Sequence, residues 1–204
     1  MSVFEFIKED LLGERVAREL ITPFRSELVL VWERAWEHWH GFSEDVRRRL
    51  TESPLHRPII LNGLAQSFAR EQFSGRERDG LVVCDAIPGV FTLYIHERLL
   101  LRFNGLDRDH VVRLDGATRL KKDFFGQVRI YGLNNDATRF AVGFTLDPSK
   151  TEMEHVEMSL QYGNTPIYHI ELDDEAGAVE PLPSPKVGPF PILPSEAIRT
   201  KNPR

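Results

Sequence analysis

The residues Phe91–Asp107, FTLYIHERLLLRFNGLD, limit the fold more than any other stretch of the chain. Phe91, Leu93 and Ile95 alternate with Thr92, Tyr94 and His96. Successive strand residues point to opposite sides, so the three apolar residues share one face of a strand. The charged pair Glu97-Arg98 suits a turn, after which Leu99-Leu100-Leu101-Arg102-Phe103 resumes the apolar run and breaks at the turn dipeptide Asn104-Gly105. This pattern predicts a hairpin whose second strand is the more deeply buried. A hairpin alone is not stable in water, so the flanking segments must cover it.

Upstream, the apolar residues recur at helical spacing. Ser2 and Glu5 fit a capping box, and Phe4, Ile7, Leu11, Val16 and Leu20 follow on one helical face until Pro23. From Phe24 a second helix carries Leu28, Val31, Ala35 and Trp39 in line, with Trp32 and Trp36 alongside, and ends at Gly41. So broad an apolar stripe must be buried or must meet a partner. Ser43 caps a short charged helix through Leu50, and Pro58 opens a fourth helix with Ile60, Leu64, Phe68 and Gln72 on one face, ending near Gly75. Residues 1–75 therefore read as helical.

The period changes after the polar connection Ser74–Gly80. Leu81–Ala86 is a run of strand type, Pro88-Gly89 is a turn, and the hairpin follows. Val111–Leu114 reads as a further short strand, and Thr118 caps a short helix that stops at Gly126. Val128–Leu133, Phe140–Leu146, Val156–Gln161 and Ile167–Leu172 are strand-like runs separated by turn formers. Connections this short exclude helical crossovers, so the sheet over residues 80–172 is expected to be mainly antiparallel. The fold class is α+β, with N-terminal helices packed on that sheet as one domain. Residues 173–204 form an extended tail, because Pro181, Pro183, Pro185, Pro189, Pro191 and Pro194 prevent regular structure. Such a composition reads first as a disordered tail; the alternative is a segment that docks on this domain or on another protein, since Phe190, Ile192 and Leu193 make part of it too apolar for a solubilising segment.

Charge and composition narrow the function. The 204 residues carry a net charge of −5, which argues against coating nucleic acid through the overall field. One cysteine, Cys84, permits neither an intramolecular disulfide nor a cysteine-built zinc site, and reads as a small buried hydrophobe. The first residues are too polar for a signal peptide, and no run reaches the length of a membrane span, so the expected compartment is the cytoplasm.

No catalytic residue, metal ligand or cofactor is assigned. The chain has no Gly-x-Ser-x-Gly elbow, phosphate loop or dinucleotide fingerprint. His38 and His40 point about 200° apart on a helix and cannot chelate one ion there. Glu152 and His155 lack a second histidine, and that segment reads as a charged turn. Only a cleft gathering Glu33, Glu37, His38 and His40 would revive an enzymatic reading. The best polar signal is a basic stretch holding Arg102, Arg113, Arg119, Lys121, Lys122 and Arg129 near Phe124-Phe125, residue types used for phosphate contact and base stacking. Glu97, Asp107, Asp109, Asp115 and Asp123 interrupt it, as in an ion-paired sheet surface.

Across residues 58–172, Arg102-Phe103-Asn104-Gly105-Leu106-Asp107, Thr118, Phe124-Phe125, Gln127 and the strand Phe140–Asp147 resemble an uncharacterised bacterial family. Members of that family look like companions of ImmA/IrrE-type metallopeptidases and helix-turn-helix regulators. Asn104-Gly105 stands where that family has two lysines, so a charge-based role of the pair does not carry over with the resemblance. The resemblance implies a protein-binding regulator of a toxin–antitoxin, stress or phage-defence system, whose partner is such a peptidase or regulator. The leading expectation is thus a non-enzymatic interaction protein using Trp32, Trp36, Trp39 and the tail. The alternative is a nucleic-acid-binding regulator using the basic stretch.

Overall fold

The computed structural model describes residues 11–50, 56–87, 90–133, 135–149 and 151–173. Ser2, Glu5 and the first turns expected from Phe4 lie outside the described residues, as do Phe190, Ile192, Leu193 and the rest of the tail. The side chain of Cys84 lies outside them too.

Among the described residues five α-helices, α1 (Glu14–Ile21), α2 (Arg25–Gly41), α3 (Glu44–Leu50), α4 (His56–Phe73) and α5 (Arg119–Phe125), accompany six strands. The strands are β1 (Leu81–Ile87), β2 (Val90–Ile95), β3 (Leu99–Phe103), β4 (Thr138–Leu146), β5 (Met153–Tyr162) and β6 (Thr165–Glu171). They form one sheet in sequence order, and the fold is α+β.

Every neighbouring pair is antiparallel except β3 and β4, which run parallel with Leu101 opposite Phe140. That single parallel step needs a long crossover, and residues 104–137 supply it. The crossover is where the two strands expected at Val111–Leu114 and Val128–Leu133 fail to form. Their backbone groups are bonded by side chains instead: Val112 exchanges hydrogen bonds with Gln161, and Asn135 brackets Ile130. Once those amides and carbonyls are satisfied locally, the segment has no need of a neighbouring strand.

The helices α1, α2 and α4 cover one face of the sheet. Leu28, Val31, Trp32, Ala35 and Trp39 of α2 share a core with Phe91, Leu93, Ile95, Leu101, Phe103, Phe140, Val142 and Phe144. Trp32 meets Phe144 edge-on at 5.0 Å and Phe103 at 5.9 Å. On α4 the buried line is Leu61, Ala65, Ala69 and Phe73, one residue on from the expected Ile60, Leu64, Phe68 and Gln72, which are only half-buried. Two alanines in that line let α4 lie close to its neighbours, and the larger side chains flank the contact. Arg25 fixes the start of α2 to the end of β6, its guanidinium donating to the carbonyls of Glu171 (2.7 Å) and Leu172 (3.3 Å).

The crossover covers the other face. Phe124 and Phe125 of α5, together with Val112, Leu114, Ile130 and Leu133, bury Tyr94, Leu100 and Ala141 in a second core. Residues 91–95 of β2 are all buried, and in β3 only Arg102 is half-buried, so the second strand is not the more deeply buried of the two. Thr118 caps α5 by accepting the Lys121 amide at 3.3 Å.

Candidate functional site

On β5 the apolar residues Val156, Met158 and Leu160 face the helices, so Glu157, Ser159 and Gln161 face the crossover, and all three are wholly buried. Between them they fasten the loop over residues 107–114. Gln161 accepts the Val112 amide at 2.7 Å and donates to the Val112 carbonyl at 3.0 Å. Ser159 donates to the His110 carbonyl, and Asp107 accepts the amides of Asp109 and Val111.

This fastening holds His110 at φ +60°, a left-handed conformation uncommon outside glycine. Its ring Nδ1 lies 2.7 Å from Oε2 of Glu157, and its face stacks on His169 of β6 at 3.9 Å with the planes 6° apart. His169 reaches the same spot because it stands opposite Ser159 in the β5–β6 register. The ligating atoms of His110, Glu157 and His169 all lie within 4.8 Å of one another.

Oε1 of Glu157 is buried with no hydrogen-bond partner among the described residues. An enclosed carboxylate with one oxygen unsatisfied is costly unless a cation faces it. Two imidazoles and a carboxylate are donors of the kind that borderline divalent metals take. None of the three stands out in the sequence. Glu157 and His169 lie 47 residues or more from His110, and Glu157-x-Ser159-x-Gln161 has the alternation of an ordinary solvent-facing strand edge.

A second feature lies at the far end of the crossover, in the loop Gly126–Leu133. Arg139 of β4 is almost completely buried beneath it and donates to the carbonyls of Asp123 and Val128 and to Oδ1 of Asn135. Burial lowers the Arg139 pKa, and Asp123 and the Tyr94 hydroxyl oppose that shift. The Gln127 amide pairs with the Arg139 backbone as a neighbouring strand would, donating to its carbonyl at 2.8 Å and accepting its N–H at 3.1 Å. Asn135 closes the turn by bonding Ile130 and Leu133. From this braced loop Tyr131 projects fully into solvent, flanked by exposed Arg129 and Val128.

Two of the three tryptophans differ from the expectation of an exposed contact surface. Trp32 and Trp39 are buried in the core and offer no surface to a partner, because the apolar stripe of α2 is covered by the sheet. Trp36 is half-buried, edge-on to Phe144 at 5.7 Å with the Arg57 guanidinium over its ring.

The basic stretch divides. Arg102 is half-buried over the Phe124 ring, and burial lowers its pKa. Lys121 is lowered first by burial and then by Arg102. Arg113 is ion-paired with Asp107 and Asp109. Arg119, Lys122 and Arg129 face solvent.

Glu33, Glu37, His38 and His40 do not gather. The two glutamates are exposed, His38 lies against Phe42 and Phe68, and His40 lies against Trp36 beside Arg47. His40 lines a shallow cleft of about 460 Å³ with Arg47, Arg48 and Arg57. Its pKa is lowered by burial and then by Arg47 and Arg57. Among the described residues no helix is long and apolar enough to cross a membrane. No protein-family model, curated protein or solved structure matches the chain.

Proposed function

We propose that this chain is a non-enzymatic interaction protein, the regulatory or neutralising member of a bacterial stress, toxin–antitoxin or phage-defence system. The observation that carries the reading is Tyr131, an aromatic side chain wholly in water on a loop braced from beneath by a buried arginine. Binding hot spots are enriched in tyrosine and arginine, and a loop already held in place loses little entropy on docking. Arg129 and Val128 supply the charged and apolar neighbours such a contact uses. The sequence resemblance described above supplies the class of partner, a metallopeptidase or helix-turn-helix regulator encoded nearby. Affinity purification at native expression, with wild type and Tyr131→Ala side by side, tests the proposal. A stoichiometric partner that the wild type retains and Tyr131→Ala loses supports it. Recovery of no partner, or equal recovery by both proteins, counts against it.

The juxtaposition of Tyr131 with Arg129 also favours a second reading, a nucleic-acid-binding regulator in which the ring stacks on a base and the cation contacts phosphate. Anisotropy titrations with single-stranded and duplex DNA and RNA at low salt discriminate the two. Binding that weakens steeply with salt, with a slope reduced by about one in Arg129→Ala, supports this second reading. Undetectable binding removes it.

A further inference from the structure

We propose that His110, Glu157 and His169 form a binding site for a divalent transition-metal ion of the Zn²⁺ or Co²⁺ type. The inference is independent of the interaction surface proposed above. Three observations carry it together.

The first is the donor set. Ligating atoms of the two histidines and the carboxylate lie within 4.8 Å of one another, although His110 comes from the crossover and the other two from adjacent strands. Around a metal bonded at about 2.0 to 2.2 Å to each donor, neighbouring donors stand roughly 3 to 4 Å apart, so the donors are near enough to converge on one ion once a ring turns.

The second is Glu157. Its Oε2 meets His110, while its Oε1 is enclosed with no hydrogen-bond partner among the described residues. A buried carboxylate met by one imidazole alone among the described residues is stabilised by a cation placed beside it. The third is the backbone. His110 is held in a left-handed conformation by Ser159 at its own carbonyl and by Asp107 and Gln161 on either side, and this conformation brings its ring over β5 and β6.

The chemistry of the set selects the ion. Two imidazole nitrogens and one carboxylate oxygen suit zinc, cobalt, nickel or iron, whereas calcium and magnesium take oxygen ligands almost exclusively. Three protein donors leave one or more positions for water or for a group brought by a partner.

The geometry also states what binding must do. A metal lies close to the plane of each imidazole that ligates it, and two rings stacked at 3.9 Å with planes 6° apart cannot both satisfy that for one ion. Metal binding therefore breaks the stack by rotating His169, the ring carried by an edge strand. The buried Glu157 and the fastened loop stay in place. Because His110 belongs to the loop over residues 107–114, an ion at this site also ties that loop to β5 and β6.

The test uses the full-length chain without an affinity tag, stripped with chelator and desalted, and titrated with Zn²⁺ and Co²⁺ by calorimetry and visible absorption. One equivalent is expected to bind, with cobalt d–d bands and a rise in Tm by mass action. His110→Ala and His169→Ala are expected to weaken binding at least tenfold each. Both rings are part-exposed, so folding is retained and circular dichroism verifies it. Glu157→Gln, which keeps the shape and removes the charge, is expected to weaken binding as well. The two histidine variants decide the matter if it does not fold. The proposal is overturned if wild type binds neither metal at micromolar concentration. It is overturned equally if both histidine variants bind as wild type does, since the ion then sits elsewhere on the chain.

Discussion

Gly143 of β4 stands opposite Glu157 of β5, and the carbonyl oxygen of Asn104 occupies the space where a side chain at position 143 would project. A Cβ there would lie 1.9 Å from that oxygen. The crossover is thus laid directly on the sheet just before the loop that carries His110, and only glycine permits it.

The contact cannot relax cheaply, because Asn104 donates its amide to Val142 at 3.0 Å and Leu106 donates to Phe144 at 3.1 Å, continuing the ladder of β3 past Phe103. Gly143→Ala is expected to cost about 3 kcal/mol through overpacking against backbone. For a domain of this size that is a fall in Tm of roughly 6 to 12 °C by circular dichroism. An unchanged Tm would mean that the crossover does not lie on β4 as described.

Gln127 gives a second prediction. Gln127 is at φ +53°, its side chain stands in for a strand beside Arg139, and no other described group takes those two backbone bonds. Gln127→Ala leaves a buried carbonyl and amide unpaired, at an expected cost of about 2 kcal/mol. Urea unfolding should show a lower midpoint with an unchanged slope, since the same surface is exposed.

Asp147 predicts the acid limb of stability. It accepts hydrogen bonds from the Ser149 hydroxyl and from the amides of Glu152, Ser149 and Thr151, which lower its pKa from 3.8 to about 2. The folded value is the lower one, so the stabilisation is fully present above 3.8 and is lost as pH falls towards 2. Urea midpoints measured across that window should fall more steeply for wild type than for Asp147→Asn. Equal slopes would show that the carboxylate does not hold the β4–β5 turn.

Two aromatic residues are expected to behave in opposite ways. Trp32 is buried against Phe103 and Phe144, and Trp32→Ala should cost roughly 3 to 5 kcal/mol. Tyr131 touches nothing that stabilises the fold, and Tyr131→Ala should leave stability within about 0.5 kcal/mol of wild type. Chemical denaturation of the two variants measures both. A large loss from Tyr131→Ala would remove it as a displayed contact residue.

The helices α2 and α4, the hairpin of β2 and β3, and β4, β5 and β6 were all legible in the sequence, because apolar spacing alone tells which side of an element seeks burial. Spacing also announced that the tryptophan stripe of α2 needed a cover. It did not tell whether that cover was the sheet or another protein, and the sheet took it.

What only the tertiary structure decided is the second face. Tyr94, Glu157, Ser159 and Gln161 alternate with core residues as solvent-facing positions do, yet the crossover buries them. Val111–Leu114 and Val128–Leu133 have strand composition, but side chains distant in sequence satisfy their backbone groups first, as Gln161 does for Val112 across 49 residues. The same long-range closure assembles His110, Glu157 and His169. Local periodicity records the partition of apolar and polar side chains along each element. Which polar groups meet is fixed by the crossover that the parallel β3–β4 pairing requires.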